Sequence, residues 1–150
     1  MSDLPSLNLR LVTLLGEKMN EQVYEVILPT ATGEISVFPD HEPLVTLARP
    51  GMMAVRRQKT DPDSALEYFA TSGGIIEIDA ERVRILVDEA DSSDEIVEEE
   101  SQKALERALK MRDSAASQVE LEQAQQLIDR HQVRLKVAGL RRHQKPTQYK

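Results

Sequence analysis

The sequence of 150 residues lacks cysteine and tryptophan and contains only two phenylalanines and three tyrosines. Without cysteine it can form no disulfide bond, thiolate metal site or cysteine nucleophile. No stretch approaches the ~18 apolar residues of a membrane-spanning helix, and the first residues lack the basic and apolar segments of a signal peptide. We therefore expect a soluble, non-secreted protein of one domain, or of one small domain with an appendage, with an aliphatic core.

Motifs for catalysis and metal binding are also missing. The three histidines, His41, His131 and His143, are too far apart in the chain to place two metal ligands on one helical turn. There is no Gly-x-Ser-x-Gly motif and no glycine-rich phosphate-binding loop. His41 has an acidic residue on each side, but adjacent residues in a turn point apart, so it lacks a positioned partner for general-base catalysis. We predict no catalytic residue, no metal site and no cofactor.

The charge is unevenly distributed along the chain. The whole sequence has a formal net charge of −7 and a pI near 5.0, which argues against nucleic-acid binding because phosphate contacts need a concentrated basic surface. Residues 1–92 carry −8 and residues 93–125 carry −5, whereas residues 126–150 carry +6. The chain therefore ends in a basic tail on an acidic body, which indicates either a partner with an acidic surface or a means of staying in solution.

The first 90 residues have the pattern of short β-strands. Leu7, Leu9 and Leu11 alternate with other residues, as expected for a strand with one buried face. Turn-forming Gly, Pro and Asp residues separate the apolar runs, and regular spacing of this kind is typical of a β-sandwich or barrel. The further runs lie at residues 23–28, 35–37, 44–47, 52–55, 66–70, 75–78 and 83–87.

The pattern changes to a helical one after residue 91. Ser92 and Glu95 form a candidate capping box, and no Gly or Pro follows until Gly139. This predicts a first helix that begins after Ser92 and ends near Arg112. Residues 92–150 are thus predicted to form a second unit, distinct from the antiparallel sandwich or barrel of residues 1–91.

A second helix is predicted after a short polar link. Ser117 and Glu120 form another candidate capping box, and the helix should end between Gly139 and His143. A link this short makes the two helices pack as an antiparallel hairpin. We predict that an alanine-rich stripe of the first helix faces one of the second: Val97, Ala104, Leu105, Ala108 and Met111 against Leu121, Ala124, Ile128, Leu135 and Ala138. Because alanines bury little apolar area, this hairpin should be able to leave its partner surfaces.

The second helix also has a basic side. Arg130 and Arg134 lie four residues apart and therefore on one helical face, and Arg141 and Arg142 follow two turns later. These four arginines are candidate contacts for an acidic partner.

Three ordered segments resemble a known family. Residues 32–44 read TGEISVFPDHEPL and are followed by Leu47 and the Pro50-Gly51 pair. Residues 72–78 read SGGIIEI and are followed by VRIL at 83–86 and DEA at 88–90. The predicted helical hairpin is the third segment. With all three in this order, the whole chain resembles the bacterial type of epsilon subunit of the F-type rotary ATP synthase.

This resemblance implies a non-catalytic subunit at the foot of the central stalk. The sandwich would be held by the gamma subunit and would contact the polar loops of the membrane c-ring through Glu34 and His41. The hairpin would reach the alpha and beta subunits and inhibit ATP hydrolysis mechanically. The subunit would be peripheral, on the cytoplasmic side of the inner membrane.

The sequence departs from the family pattern at two places. Ser36 stands where the family commonly has Gly, so the backbone at this position should not need a positive φ. Members that bind ATP open the first helix with Ile-Asp and an Arg three residues after the Asp, whereas here Val97 follows Ile96 and the later position is Glu100. A carboxylate would repel a triphosphate, so no nucleotide site is expected.

Two other functions remain alternatives to the stalk subunit. The chain could be a stand-alone β-sandwich binding module whose helical tail mediates oligomerisation, which predicts a stable homo-oligomer without affinity for a gamma-like protein. It could also be an enzyme centred on His41, which predicts turnover that is lost in His41→Ala.

Overall fold

The computed structural model describes residues 5–144, and the side chains of residues 5–140. Ten strands are followed by two helices. The strands are β1 (Leu7–Thr13), β2 (Gly16–Val23), β3 (Glu25–Thr30), β4 (Gly33–Val37), β5 (Leu44–Ala48), β6 (Gly51–Arg56), β7 (Glu67–Thr71), β8 (Gly74–Ile78), β9 (Arg82–Val87) and β10 (Ala90–Ser92). The helices are α1 (Glu98–Asp113) and α2 (Gln118–Gln144).

The strands form one continuous hydrogen-bonded sheet that folds into a sandwich. Their order is β10-β7-β6-β3-β5-β8-β9-β1-β2, and β4 pairs with β3 beside this path. The pairs are antiparallel except β1 with β9, which run parallel over Asn8 to Val12 and Arg82 to Leu86. The predicted fold class, an antiparallel β-sandwich followed by a helical hairpin, is confirmed.

The core of the sandwich is aliphatic, as the shortage of aromatic residues predicts. Leu7, Leu9 and Leu11 are fully buried, and so is Ile76. Phe69 is the one aromatic side chain of this core. Burial of each aliphatic side chain of this size stabilises the fold by ~1.5–3 kcal/mol. Many such contributions therefore replace those of a few large aromatic side chains.

One predicted strand is in fact two. The apolar run at residues 23–28 is interrupted at Tyr24, whose amide donates to the main-chain oxygen of Arg56 (2.9 Å). This break turns Glu25 inward, where it is buried and accepts a hydrogen bond from Arg56 Nε at 2.8 Å. The buried ion pair compensates for the carboxylate that the turn places in the interior.

The first helix begins later than predicted. The capping box of Ser92 and Glu95 is present, but it starts a single 3-10 turn of residues 93–95. α1 begins only at Glu98, after Ile96 and Val97 adopt extended backbone. Ile96 is buried against the sandwich in this position, so its burial takes precedence over continuing the helix from the capping box.

The second helix ends one residue beyond the predicted range. Ser117 accepts a hydrogen bond from the amide of Glu120 (3.2 Å), in agreement with the predicted start. Gly139 does not end the helix, because α2 continues to Gln144. A Gly stops a helix only where the backbone takes up a positive φ, and here Gly139 keeps helical backbone.

The contact between the helices is only partly the predicted one. Ala108, Ala124 and Ile128 are buried there, but Val97 and Met111 are 51% and 44% exposed. Leu121 is also exposed, whereas Ser101 is buried and was not predicted.

The hairpin packs on the sandwich through α2. Val137 and Ala138 are fully buried together with Ile96 and Ala70 of β7, so the predicted partner of Ala138 on the first helix is replaced by the sheet. Met52, Tyr68 and Val133 border this small cluster. The contact is thin, since two of its four buried residues are alanines.

Candidate interaction surfaces

Arg130 and Arg134 are brought together on the side of α2 that faces the sandwich. Arg130 Nη2 lies 2.9 Å from Glu89 Oε1. Arg134 Nη1 donates to Asp91 Oδ2, and its Nε donates to Ser101 Oγ at 3.3 Å. These arginines therefore have acidic partners within the chain, which the sequence did not indicate.

The two pairs differ in burial. The side chains of Arg134 and Asp91 are 18% and 29% exposed, and those of Arg130 and Glu89 are 45% and 43% exposed. Solvent screens the second pair more strongly, so the first contributes more to the contact. Ser101, buried on α1, links Arg134 to the other helix as well.

A histidine, His131, lies between the helices beside the arginines. His131 has its Nδ1 buried, and this atom makes no hydrogen bond within the part of the chain that the structure describes. Burial, together with the charges of Arg130, Arg134 and Arg107, lowers the pKa of His131. Its ring is therefore held neutral at the pH where a free histidine would begin to protonate.

The corner after β4 holds His41 in a fixed orientation. Asp40 adopts a left-handed backbone (φ 68°) and donates its amide hydrogen to the main-chain oxygen of Ala80 (2.8 Å). His41 is half-buried, and its Nδ1 lies 2.7 Å from the main-chain oxygen of Glu42. The hydrogen bond to Ala80 joins this corner to the β8–β9 turn and therefore holds the polar loop in one conformation.

Glu34 lies on β4 itself and is exposed. Ser36, two residues further along the same strand, pairs with Ile27 in extended backbone, as predicted from the serine at this position. Glu34 pairs with Pro29 near the start of β4, whereas His41 follows the end of that strand, close to the β8–β9 turn, so the two side chains are not brought together.

An exposed apolar row crosses the outer face of the sheet. The strand registers place Leu47 opposite Ile75, Ile75 opposite Leu86, and Leu86 opposite Val12. Leu47 and Ile75 are 61% and 44% exposed. Val45, 70% exposed and two residues from Leu47, extends the row at its β5 end. We call these five residues the apolar row; exposed patches of this kind commonly mark protein interfaces.

Arg141 and Arg142 belong to the last turns of α2, but their side chains lie outside the described residues. Among the side chains that the structure describes, residues 5–140, no cluster of three or more His, Asp or Glu could hold a metal ion. None of the helices in that range is long and apolar enough to cross a membrane.

Known proteins match the chain over nearly all of these features. The model of the ATP synthase delta/epsilon chain β-sandwich domain matches residues 6–93. The ATP synthase epsilon chain of Herpetosiphon aurantiacus is 35% identical over 139 residues, which cover 91% of this chain and 97% of that protein. This chain belongs to the ATP synthase epsilon family. It is an accessory subunit of ATP synthase and not a catalytic one, as the sequence predicts.

Other epsilon relatives come from bacteria and plastids. The epsilon chain of Moorella thermoacetica is 34% identical over 134 residues (89% of this chain, 97% of that protein), and the chloroplastic epsilon chain of Oltmannsiellopsis viridis is 34% identical over 121 residues (81% and 88%). Among solved structures, a chain of the Euglena gracilis mitochondrial ATP synthase, OSCP/F1/c-ring in rotational state 1, has a TM-score of 0.75 at 23% identity, with 92% of this chain and 84% of that one covered. That similarity extends the shared fold beyond the sandwich to the epsilon hairpin.

The predicted absence of a nucleotide site in this epsilon-family chain depends partly on where the carboxylate of Glu100 lies. An open cleft between the helices, about 370 Å³, is lined by Arg107, Arg130 and Arg134, and also by Glu100. The carboxylate is thus on the wall where it would oppose an anion. The expected absence of a nucleotide site stays a prediction, and ATP titration calorimetry of the isolated chain tests it.

Proposed function

We propose that this chain is the central-stalk subunit that couples rotation to the c-ring and restrains ATP hydrolysis through its helical hairpin. The observation that supports this most is the placement of Arg130 and Arg134 on a hairpin that a thin alanine-rich contact and two ion pairs hold to the sandwich. A charged element with so small a contact can exchange between two positions. We propose residues 1–91 and 92–150 as the coupling and regulatory units.

The gamma subunit is the proposed partner of the apolar row. Four strands contribute to the row, so it belongs to a rigid surface that can transmit torque. Leu47→Asp should lower the affinity for gamma by about tenfold or more, because it buries a charge within the contact. Val119→Asp introduces the same charge at a 62% exposed site on the hairpin and should leave binding unchanged. Equal affinities of the two variants would reject this surface.

The polar loops of the c-ring are the proposed partners of Glu34 and His41. The hydrogen bond from Asp40 to Ala80 fixes the corner, so that side-chain contacts there need little ordering on binding. Glu34→Gln with His41→Ala should weaken coupling between proton flow and ATP synthesis while gamma binding persists. Unchanged proton-driven synthesis would contradict this placement. The subunit would then be peripheral, on the cytoplasmic side of the inner membrane.

The alpha and beta subunits are the proposed partners of the hairpin through Arg130, Arg134, Arg141 and Arg142. When extended, the hairpin would occupy space that the rotating shaft sweeps, and its arginines would meet acidic side chains. Deletion of residues 97–150 retains the whole sandwich and Ile96, so the truncated subunit should still assemble. ATP hydrolysis by the reconstituted synthase should then rise.

Two controls separate inhibition from assembly. Arg130→Glu with Arg134→Glu keeps the helix and should reproduce part of the rise, with an effect that weakens as ionic strength increases. Unchanged hydrolysis after deletion would reject the inhibitory role and leave the coupling role standing. A stable homo-oligomer without gamma affinity would instead support the stand-alone binding module.

A further inference from the structure

Glu89, just before β10, and Asp91, within it, form an acidic segment. The spacing of its two carboxylates matches that of Arg130 and Arg134 on the basic face of α2. Glu89 and Asp91 are two residues apart in extended backbone, a separation of about 6.6 Å. Arg130 and Arg134 are four residues apart in a helix, a separation of about 6 Å. Residues at i and i+2 of an extended chain share a face, as do residues at i and i+4 of a helix. The two pairs can therefore form together, as the structure has them.

The acidic segment is itself held firmly. The amide of Glu89 donates to Ser72 Oγ at 2.9 Å, and the amide of Ser72 donates to the main-chain oxygen of Glu89 at 3.0 Å. Asp91 lies in β10, which pairs with β7 opposite Ala70. Its carboxylate is thus presented by the sheet rather than by a free loop, and little conformational entropy is lost when Arg134 arrives.

Both arginines are already engaged when the hairpin is docked. Arg134 is bound by Asp91 and by Ser101 of α1. An arginine that is only 18% exposed and bound on two sides cannot simultaneously offer its guanidinium to a carboxylate of another protein. Arg130 is more exposed, but its Nη2 is engaged by Glu89.

We propose that Glu89 and Asp91 act as an internal competitor for Arg130 and Arg134, which holds the hairpin in its docked position and keeps the two arginines from an external acidic partner. The inhibitory part of this inference rests on the proposed function. The docking part does not, since it concerns the isolated chain. Docking and engagement of the partner exclude each other, because both use the same two guanidinium groups.

Substitutions of the two carboxylates and of the two arginines should have opposite effects on the inhibition of ATP hydrolysis. Neutralising Glu89 and Asp91 frees the arginines and should increase inhibition of ATP hydrolysis. Reversing Arg130 and Arg134 releases the hairpin as well, but removes the charge that the partner recognises, and should decrease inhibition.

Hairpin docking can be measured in the isolated full chain by fluorescence energy transfer. The absence of native cysteine makes two introduced ones unique labelling sites, and Lys59→Cys in the β6–β7 loop with Ala116→Cys at the exposed hairpin turn reports the distance between the two units. Glu89→Gln with Asp91→Asn should lower the ratio of docked to released hairpin about tenfold, and should remove most of its dependence on ionic strength.

Asp88→Asn is the matched control. This side chain is exposed and adjacent to Glu89, so its neutralisation removes one negative charge, as each single substitution of the double variant does, without touching either pair. It should leave the docked fraction at the wild-type value. If the double variant and this control give the same energy transfer at low salt, the internal competitor does not exist.

Exchanging the charges of Asp91 and Arg134 distinguishes loss of the ion pair from loss of folding. Asp91→Arg with Arg134→Asp keeps an ion pair of reversed direction, so it should restore docking relative to Asp91→Arg alone. Failure to restore docking in a chain whose sandwich melts at the wild-type temperature would overturn the proposal. If the exchanged variant docks normally and ATP hydrolysis by a synthase that contains it is unchanged, the proposed inhibitory role is contradicted and the docking role is not.

Discussion

Val137 lies at the contact between α2 and the sandwich, where its side chain is fully buried beside Ala70 and Ile96. Val137→Ala removes two methyl-sized groups from this contact, each worth about 0.8 kcal/mol of apolar burial. If releasing the hairpin exposes the site, the substitution weakens docking by about 1.6 kcal/mol, a roughly fifteenfold fall in the ratio of docked to released hairpin. The alanine neighbours make up little of this loss, because they have no side chain long enough to fill the gap.

Val119→Ala provides the comparison. It makes the same substitution in the same helix at a site 62% exposed, so any gain in helix propensity is shared. Amide hydrogen exchange by mass spectrometry should accelerate in α1 and α2 of Val137→Ala and stay unchanged in β1 and β9. Equal protection of α2 in the two variants would refute the idea that this contact holds the hairpin. Faster exchange of the sandwich as well would refute the separation of the two units.

Other substitutions test the fold and the charges. Gly74→Ala would place a Cβ 2.0 Å from the main-chain oxygen of Leu86, so it should destabilise the sandwich by about 3 kcal/mol, seen as a lower denaturation midpoint. Gly139→Ala meets nothing within 4 Å and should stabilise α2 by about 0.5–1 kcal/mol in thermal melts followed by circular dichroism. Burial between the helices and the neighbouring arginines lower the pKa of His131, so the packing of α1 against α2 is fully stable above the ordinary histidine pKa and weakens as pH falls through the lowered pKa. Thermal melts followed by circular dichroism should show this loss in wild type and not in His131→Gln; the same pH dependence in both would contradict it.

Local patterns were sufficient for most strands of the sandwich, but the mostly polar β2 and the short β10 lay outside the predicted runs. The alternation of Leu7, Leu9 and Leu11 predicted the buried face of β1 because a strand turns every second side chain the same way. The break at Tyr24 was not predicted, since Val23 and the apolar residues Val26 to Leu28 form a nearly continuous run that only Glu25 interrupts. What decides the break is the hydrogen bond to Arg56, a residue that lies far along the chain and becomes a neighbour only in the folded sheet.

The helical part shows the same limit. The capping box at Ser92 is present, but the α-helix predicted to begin there was wrong, because such a box satisfies the free amides of a 3-10 turn as well as those of an α-helix. The spacing of Arg130 and Arg134 predicted one charged face. Their partners Glu89 and Asp91 were not found, because more than 40 positions separate each arginine from its carboxylate and no periodicity connects them.

The parallel pairing of β1 with β9 affects how the polypeptide can be synthesised. Asn8 meets Arg82, 74 positions later, so the amino-terminal strand has no completed neighbour on that side until β9 leaves the ribosome. Closing so long a loop is slow, and the edge of β1 is open to other chains in the meantime. The helices emerge after β9, when the surface on which they dock already exists.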